Sequence, residues 1–392
     1  MCTGAIRYLL PLLSLFAVYS IFIFSYQNGF ISMLQHVIAD GVLPETDERL
    51  RTDITGVPAL DQLLANLIPF FWPAVDGSSP SATLYGLKFS GAIGGLWSLV
   101  LLETFRTRNK SFLVLYPVII GVLLQLFTFG VILPIYAAVH LFTSRTLPAR
   151  QIIDIPSRSL TGVNLIPLSV ILGYLLPSLA MVLPETTTTG FFLPSTQERI
   201  AFWQPWPIWL WLIHSTITRI TALFSSPVPN SQSAKHTRSA LRRVYAFAFT
   251  ITAVPHIAAW SLSLTAAIFP ILFDQDVATA LHPARVFLNA MPWSGVQAKS
   301  FGEGALWFLQ WDQVVGVGGM LLWAVDLYVA AHRARKVNVG CVGLAVKVGL
   351  LCAVSGVAGA VVELMWERDE VLLQGTGLEK EQGVETGKAK RR

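Results

Sequence analysis

The sequence predicts an all-α membrane protein, a polytopic helical bundle of about seven to eight transmembrane helices. Three observations carry this. Of 392 residues, 53% are hydrophobic and only 13% are charged, about half the charge of an ordinary soluble domain. Mean hydropathy is +0.58. The apolar residues are gathered into runs of about 20, the length one helix needs to cross the hydrocarbon core. A soluble enzyme, a disulfide scaffold and a disordered chain are excluded on these grounds, because a soluble surface still has to face water.

Taken in order, Ala5–Phe24 is the first apolar run. Arg7 opens it and no small-residue cleavage site follows, so it is expected to stay as a signal-anchor helix. A polar loop over Tyr26–Asp61 has an acidic excess, with Asp40, Glu45, Asp47, Glu48, Asp53 and Asp61. Ala59–Val75 is apolar but carries Pro69 and Pro73, which suits an interfacial or re-entrant helix. Leu84–Leu102 is the second strong span. It has small residues at Gly86, Ser90, Gly91, Gly94 and Gly95, a face that lets another helix approach closely.

Phe112–Phe142 is a single apolar stretch containing Pro117 and Pro134. As one helix it would be roughly 46 Å long, too short for two crossings and longer than one needs. Two alternatives remain open here: a re-entrant pair broken at proline, or a crossing that puts one basic cluster on the lumenal side. The runs Leu165–Leu183, Trp203–Leu223, Val244–Phe269, Val314–Ala331 and Val339–Val362 complete the set. Residues 1–366 form one domain on this reading, and 367–392 a polar, disordered tail.

The net charge of +5 does not indicate nucleic acid. Lys and Arg cluster between apolar runs, at Arg106/Arg108/Lys110, Arg145/Arg150/Arg158, Lys235/Arg238/Arg242/Arg243 and Arg333/Arg335/Lys336. The positive-inside rule places the 235–243 loop and the 333–336 cluster in the cytosol. Asn109-Lys110-Ser111 is a formal glycosylation sequon in a poor setting. Cys2, Cys341 and Cys352 have no disulfide or metal spacing. His140, His214, His256 and His282 are scattered, so core or boundary positions are expected. No phosphate-binding, dinucleotide-binding, nucleophile-elbow or zinc motif occurs. Asp274 and Asp276 form only a lone, weak DxD pair.

Carboxylates inside membrane runs mark function by default. Asp312, between Trp307 and Trp311, is expected to sit in a dry aromatic niche, where a carboxyl stays protonated and can donate its proton. Asp326 is four turns on and on the same helix face, a weaker candidate. Glu103 has Arg106 one turn away, which favours the ionised form and a local ion pair, or the role of final proton acceptor. Asp76, in Asp76-Gly77-Ser78-Ser79-Pro80, is either a turn residue or the alternative acid.

Several short strings together resemble the fungal integral membrane terpene cyclases of the ascochlorin/ascofuranone and macrophorin type. They are Gly56-Val57-Pro58-Ala59-Leu60-Asp61, Phe70-Phe71-Trp72-Pro73 with Asp76-Gly77-Ser78-Ser79-Pro80, Leu101-Leu102-Glu103 with Arg106, Phe129-Gly130 with Leu133-Pro134-Ile135-Tyr136, Trp203-Gln204, and Phe308-Leu309-Gln310-Trp311-Asp312. They are spread over roughly residues 55–335. The resemblance implies acid-initiated cyclisation of a prenylated substrate, meroterpenoid or sesquiterpenoid, by protonation of a terminal epoxide or alkene, with no cofactor and no metal. It implies a multi-pass protein of the endoplasmic reticulum whose partners are the bilayer and that substrate. Asp312, Asp76 and Glu103 are then the catalytic candidates, and Trp72, Trp97, Tyr136, Trp203 and Trp311 the substrate-binding ones. The competing expectations are a transporter or exporter of a small apolar metabolite, and a non-catalytic scaffold. Nothing in the sequence sets the oligomeric state.

Overall fold

The structure, a computed structural model, describes residues 4–107, 109, 111–144, 155–156, 159–185, 193–224 and 233–373. Arg108, Lys110, Arg145, Arg150 and Arg158 lie outside the described residues, as does 374–392. Those that are described form an all-α bundle with no strand, apart from one isolated bridge between Val42 and Arg49. We number the principal helices α1 Ile6–Gln27, α2 Phe30–Asp40, α3 Pro58–Val75, α4 Pro80–Thr104, α5 Pro117–Phe127, α6 Phe129–Thr143, α7 Leu160–Met181, α8 Thr196–Trp203, α9 Trp206–Phe224, α10 Ser233–Ile268, α11 Phe301–Ala334 and α12 Cys341–Leu373.

Among the described residues, six helices are long and apolar enough to cross a membrane: α1, α4, α7, α10, α11 and α12. The number is below the seven to eight read from the sequence, and the reason is how the apolar runs fold. The Phe112–Phe142 run is a re-entrant pair. It breaks at Thr128, whose φ of 72° is a left-handed conformation that a β-branched residue rarely adopts. Ser144 donates to Asn109 Oδ1 at 2.5 Å, so the two ends of the run meet. The chain doubles back on itself there rather than running on as one helix. Neither Pro117 nor Pro134 makes the break: Pro117 opens α5 and Pro134 lies inside α6.

Helix α12 is also folded back. Gly356 has φ 75° and ψ 167°, which interrupts the helix. Lys347, before the break, pairs with Glu367, after it. In an unbroken helix these residues would be about 30 Å apart. Arg335, just past α11, donates to the carbonyl of Leu372, so the end of α12 returns beside its beginning. The α12 halves therefore fold back beside each other as a hairpin. Helix α9 is a single unbroken helix of 19 residues that runs antiparallel to α7: Gly173 packs on Leu210 and Gly162 beside Thr218.

Close packing follows the small residues. A Cβ on Gly91 or Gly95 would strike the carbonyls of Ile251 and Ala248 on α10, so only glycine permits the α4–α10 contact. The basic cluster at 235–243 proves to be the first turns of α10 rather than a loop. Arg238 and Arg242 pair with Glu370 on α12, and Arg243 bonds Asn164 on α7. Residues 367–373, expected to belong to a tail, are helical. Helix α12 continues to Leu373 because Arg368 and Asp369 are buried in ion pairs. The loop before α3 is anchored by Asp61, whose Oδ1 accepts the Thr55 backbone N–H and hydroxyl, each at 2.8 Å. Those two bonds hold its carboxyl below the usual carboxylate range.

Candidate active site

The break at Thr128 meets α11 in the middle of the bundle. A helix that starts afresh at Phe129 presents unsatisfied backbone N–H groups. Asp312 supplies the acceptor: the Gly130 N–H donates to its Oδ1 at 2.5 Å. A carboxylate at this place is favoured by the positive end of α6 as well as by the bond. The space around Gly130 is tight, since an added Cβ would lie 3.1 Å from Asp312 Oδ1 and 3.0 Å from Ile21. Asp312 is buried, at 6% exposure.

Asp312 lines a cavity of about 310 Å³ at the centre of the bundle. Its wall is aromatic. Phe70 meets Phe308 at 4.8 Å and Phe71 at 4.9 Å, Phe71 meets Trp203 at 5.3 Å, and Phe89 meets Phe129 at 5.5 Å, all edge to face. Tyr174 and Trp206 close another side at 4.8 Å. Among the described lining residues Asp312 is the one ionisable carboxyl, and no Lys, Arg or His joins it. Gln125 and Gln204 add a polar spot, with the Gln125 amide bonded to the Gln204 carbonyl and the Gln204 side-chain nitrogen left without a partner. Phe22 and Leu126, exposed on the outside of the bundle, mark an opening toward lipid.

The expected residues divide. Asp312 and Trp203 line the cavity. Trp311 does not: it packs on Phe16 and donates to the Ala290 carbonyl at 2.8 Å. Trp307 stacks on Phe24, on the same outer side. Successive residues of a helix are 100° apart, so the tryptophans beside Asp312 in sequence point away from it. Its face partner is four residues back, Phe308. Trp72 and Trp97 are core residues outside the lining, Trp97 being set against Trp206 at 4.9 Å. Tyr136 is fully buried one turn from His140, again outside the cavity.

Asp76 is a turn residue. It follows α3, and its Oδ1 accepts the Ser78 N–H at 3.0 Å and the Ser78 hydroxyl at 2.7 Å, away from the cavity. Glu103 is neither at an interface nor near the cavity. Its oxygens accept Arg106 Nε at 2.7 Å, Asn109 Nδ2 at 3.0 Å, Arg368 at 3.4 Å and His140 Nε2 at 3.0 Å. Trp323 donates to His140 Nδ1, so Nε2 carries the imidazole proton and gives it to Glu103. Arg106 and Tyr245 each donate to Asp369 Oδ2 at 2.6 Å. This closed network welds α4, α6, α10, α11 and α12 together. The sequon residue Asn109 is committed to it and buried. Asp326 is buried at 3% exposure outside both places.

The sequence reading missed Phe70, Phe71, Phe89, Phe129, Tyr174 and Phe308 as wall residues. Phe308 was findable by its i−4 spacing from Asp312. The others come from separate helices and leave no local signal. Among the described residues, no group of three or more His, Cys, Asp or Glu is placed to hold a metal ion.

Residues 6–373 match the model of the CtvD domain family. The chain is 34% identical to the terpene cyclase ctvD of Aspergillus terreus over 93% of its own length and 98% of that protein. It is 31% identical to the terpene cyclase ascI of Acremonium egyptiacum, over 88% and 87%. It is 27% identical to the terpene cyclase penA of Penicillium crustosum, over 92% and 95%. No solved structure matches the chain. A helical bundle around an aromatic cavity, matched along nearly its whole length by these proteins, places the chain in the fungal membrane terpene cyclase family.

Proposed function

We propose that the chain is a membrane-bound terpene cyclase that starts its reaction by protonating a prenylated substrate from Asp312. The observation that carries this reading is the single carboxyl group in a largely apolar cavity rich in aromatic rings. A terminal epoxide or alkene bound there takes the Asp312 proton. The internal double bonds of the chain attack the cationic carbon in turn, forming rings. Loss of one proton from the last cation restores a double bond, so substrate and product are isomers.

Each part of the cavity has a place in that chemistry. The Gly130 N–H occupies Oδ1 and leaves Oδ2 to hold the transferable proton. The same N–H, at a helix N-terminus, stabilises the carboxylate left behind. The edge-to-face rings turn π density toward the migrating positive charge and keep out water, which would quench it. The opening toward lipid suits a substrate that partitions into the bilayer, in keeping with an endoplasmic reticulum protein. Ionisation of a diphosphate with Mg²⁺ needs several carboxylates and basic side chains, and this lining does not supply them, so the reading is of a metal-independent cyclase. Glu103, which the sequence left as a final proton acceptor, is sealed in its network and is not assigned that role.

Microsomes carrying this chain alone, given a prenylated aromatic compound with a terminal epoxide, should form a cyclic isomer of it. Uptake or efflux without conversion would replace the reading with a carrier. Loss of turnover on chelation, restored by Mg²⁺, would replace acid initiation with diphosphate ionisation.

A further inference from the structure

The α12 hairpin also breaks at a cavity. It lies on the other side of α4 and α11, with a volume of about 650 Å³, between α4, α10, α11 and the Gly356 break of α12. Neighbouring residues are shared out between the two spaces. Phe89 and Asp312 face the first, while Lys88 and Gln313 face the second. Irregular backbone at membrane depth is tolerated only where it is buried in protein or lines a cavity, and here it lines one.

Two polar groups in this cavity are left with open valences. Lys88 Nζ donates to the neutral Gln313 Oε1 at 2.7 Å and lies over the Tyr85 ring at 4.6 Å. No carboxylate among the described residues pairs with it. A cation in a membrane span is expensive and is normally paired. His256 is 7% exposed, and its Nε2 faces the Ala353 carbonyl at 3.2 Å. A carbonyl only accepts, so Nε2 carries the proton and Nδ1 is a bare acceptor. Nδ1 has no partner. It is buried against the backbone of the break, where an added Cβ on Gly356 would sit 2.9 Å from it. Trp260, stacked on Phe287 at 4.1 Å, provides a flat apolar wall. Leu264 and Val314, both exposed on the outside of the bundle, border the cavity toward lipid.

We infer that this cavity is a second ligand site, for an apolar molecule headed by a weakly acidic hydroxyl of the phenol or enol class. Such a hydroxyl donates to His256 Nδ1 while its oxygen accepts from Lys88, and its ring lies against Trp260 and Phe287. One hydroxyl satisfies both open groups. A phospholipid phosphodiester offers acceptors only and leaves neutral His256 Nδ1 unmet. The inference does not depend on the cyclase reading, because it is tested by binding rather than turnover.

The purified full chain in phosphatidylcholine nanodiscs is titrated with 4-nonylphenol and with its methyl ether. The phenol should bind saturably, and the ether at least about tenfold more weakly, because it cannot donate and leaves the buried His256 Nδ1 unmet. His256→Phe should remove that preference, Lys88→Met should weaken the phenol and the ether alike, and Lys88→Arg should keep much of the binding. If Lys88→Met does not accumulate, His256→Phe still tests the hydroxyl assignment. Asp312→Asn should bind the phenol as the unaltered chain does; a loss there would put the probe in the first cavity and overturn the inference. A diazirine derivative of the phenol should label α10 around Trp260. Equal binding of phenol and ether, or displacement of the phenol by dioleoyl phosphatidic acid with no hydroxyl preference, would overturn the hydroxyl assignment, the latter in favour of a phosphate-headed lipid.

Discussion

The hairpins α5–α6 and α12 use one device to opposite ends. Each breaks a membrane-buried helix with a left-handed residue, at Thr128 and at Gly356. At Thr128 the freed backbone is answered from within, because Asp312 on α11 accepts the Gly130 N–H. At Gly356 the break instead packs on a buried histidine nitrogen that nothing answers. A break whose polar groups are met by a side chain fixes that side chain in place. A break that leaves them open makes room for a ligand. The buried carboxylates show the same contrast. Asp312 accepts the Gly130 N–H at the start of α6 and faces a cavity. Glu103 is met on both oxygens by two arginines, an asparagine and a histidine. The first arrangement suits proton transfer and the second suits holding helices together.

The sharpest break of that comparison is at Asp312. Asp312→Asn keeps the shape and the Gly130 bond but has no proton to give. Turnover of the epoxide substrate in microsomes should fall by about 10²–10⁴-fold, with membrane yield unchanged. Near-normal turnover would remove Asp312 as the acid. Glu103→Gln should act the other way round. It leaves Arg106 and Arg368 without their shared countercharge, at a cost of about 3–5 kcal/mol. Thermal unfolding in detergent should show a large loss, and any folded fraction should keep its turnover per molecule. A stable but inactive Glu103→Gln would return that carboxylate to the chemistry.

Gly130→Ala sharpens the comparison further. The added methyl presses on Asp312 and Ile21, and a displaced acid should cost about tenfold or more in kcat with little change in melting temperature. A smaller effect is expected in the wall. Phe71→Leu removes one aromatic face from the cation path, worth about 0.5–2 kcal/mol. It should lower the rate by a corresponding few-fold to about 30-fold and raise the share of prematurely quenched products, read by chromatography. Asp76→Asn is the smallest. Its carboxyl serves a surface turn, so turnover should stay within about twofold, and a dead Asp76→Asn variant would reverse the assignment of the two aspartates.

The sequence by itself determined the bundle. Apolar runs, basic clusters and small faces follow from the bilayer as solvent, and that constraint acts on each segment alone. It also offered Asp312, beside Asp76 and Glu103, as a candidate acid, but on the strength of flanking tryptophans that turn away from it. The re-entrant paths were not determined, since a 30-residue apolar stretch is equally apolar straight or folded, and both breaks are set by contacts made elsewhere in the bundle. The cavity wall was decided by the tertiary structure alone. Trp311 is next to Asp312 in the chain and turned away from it, while Phe71 and Trp203, far off in the chain, share its cavity. Side-chain direction on a helix follows a 100° step rather than sequence distance, and only the packing of many helices shows which faces meet.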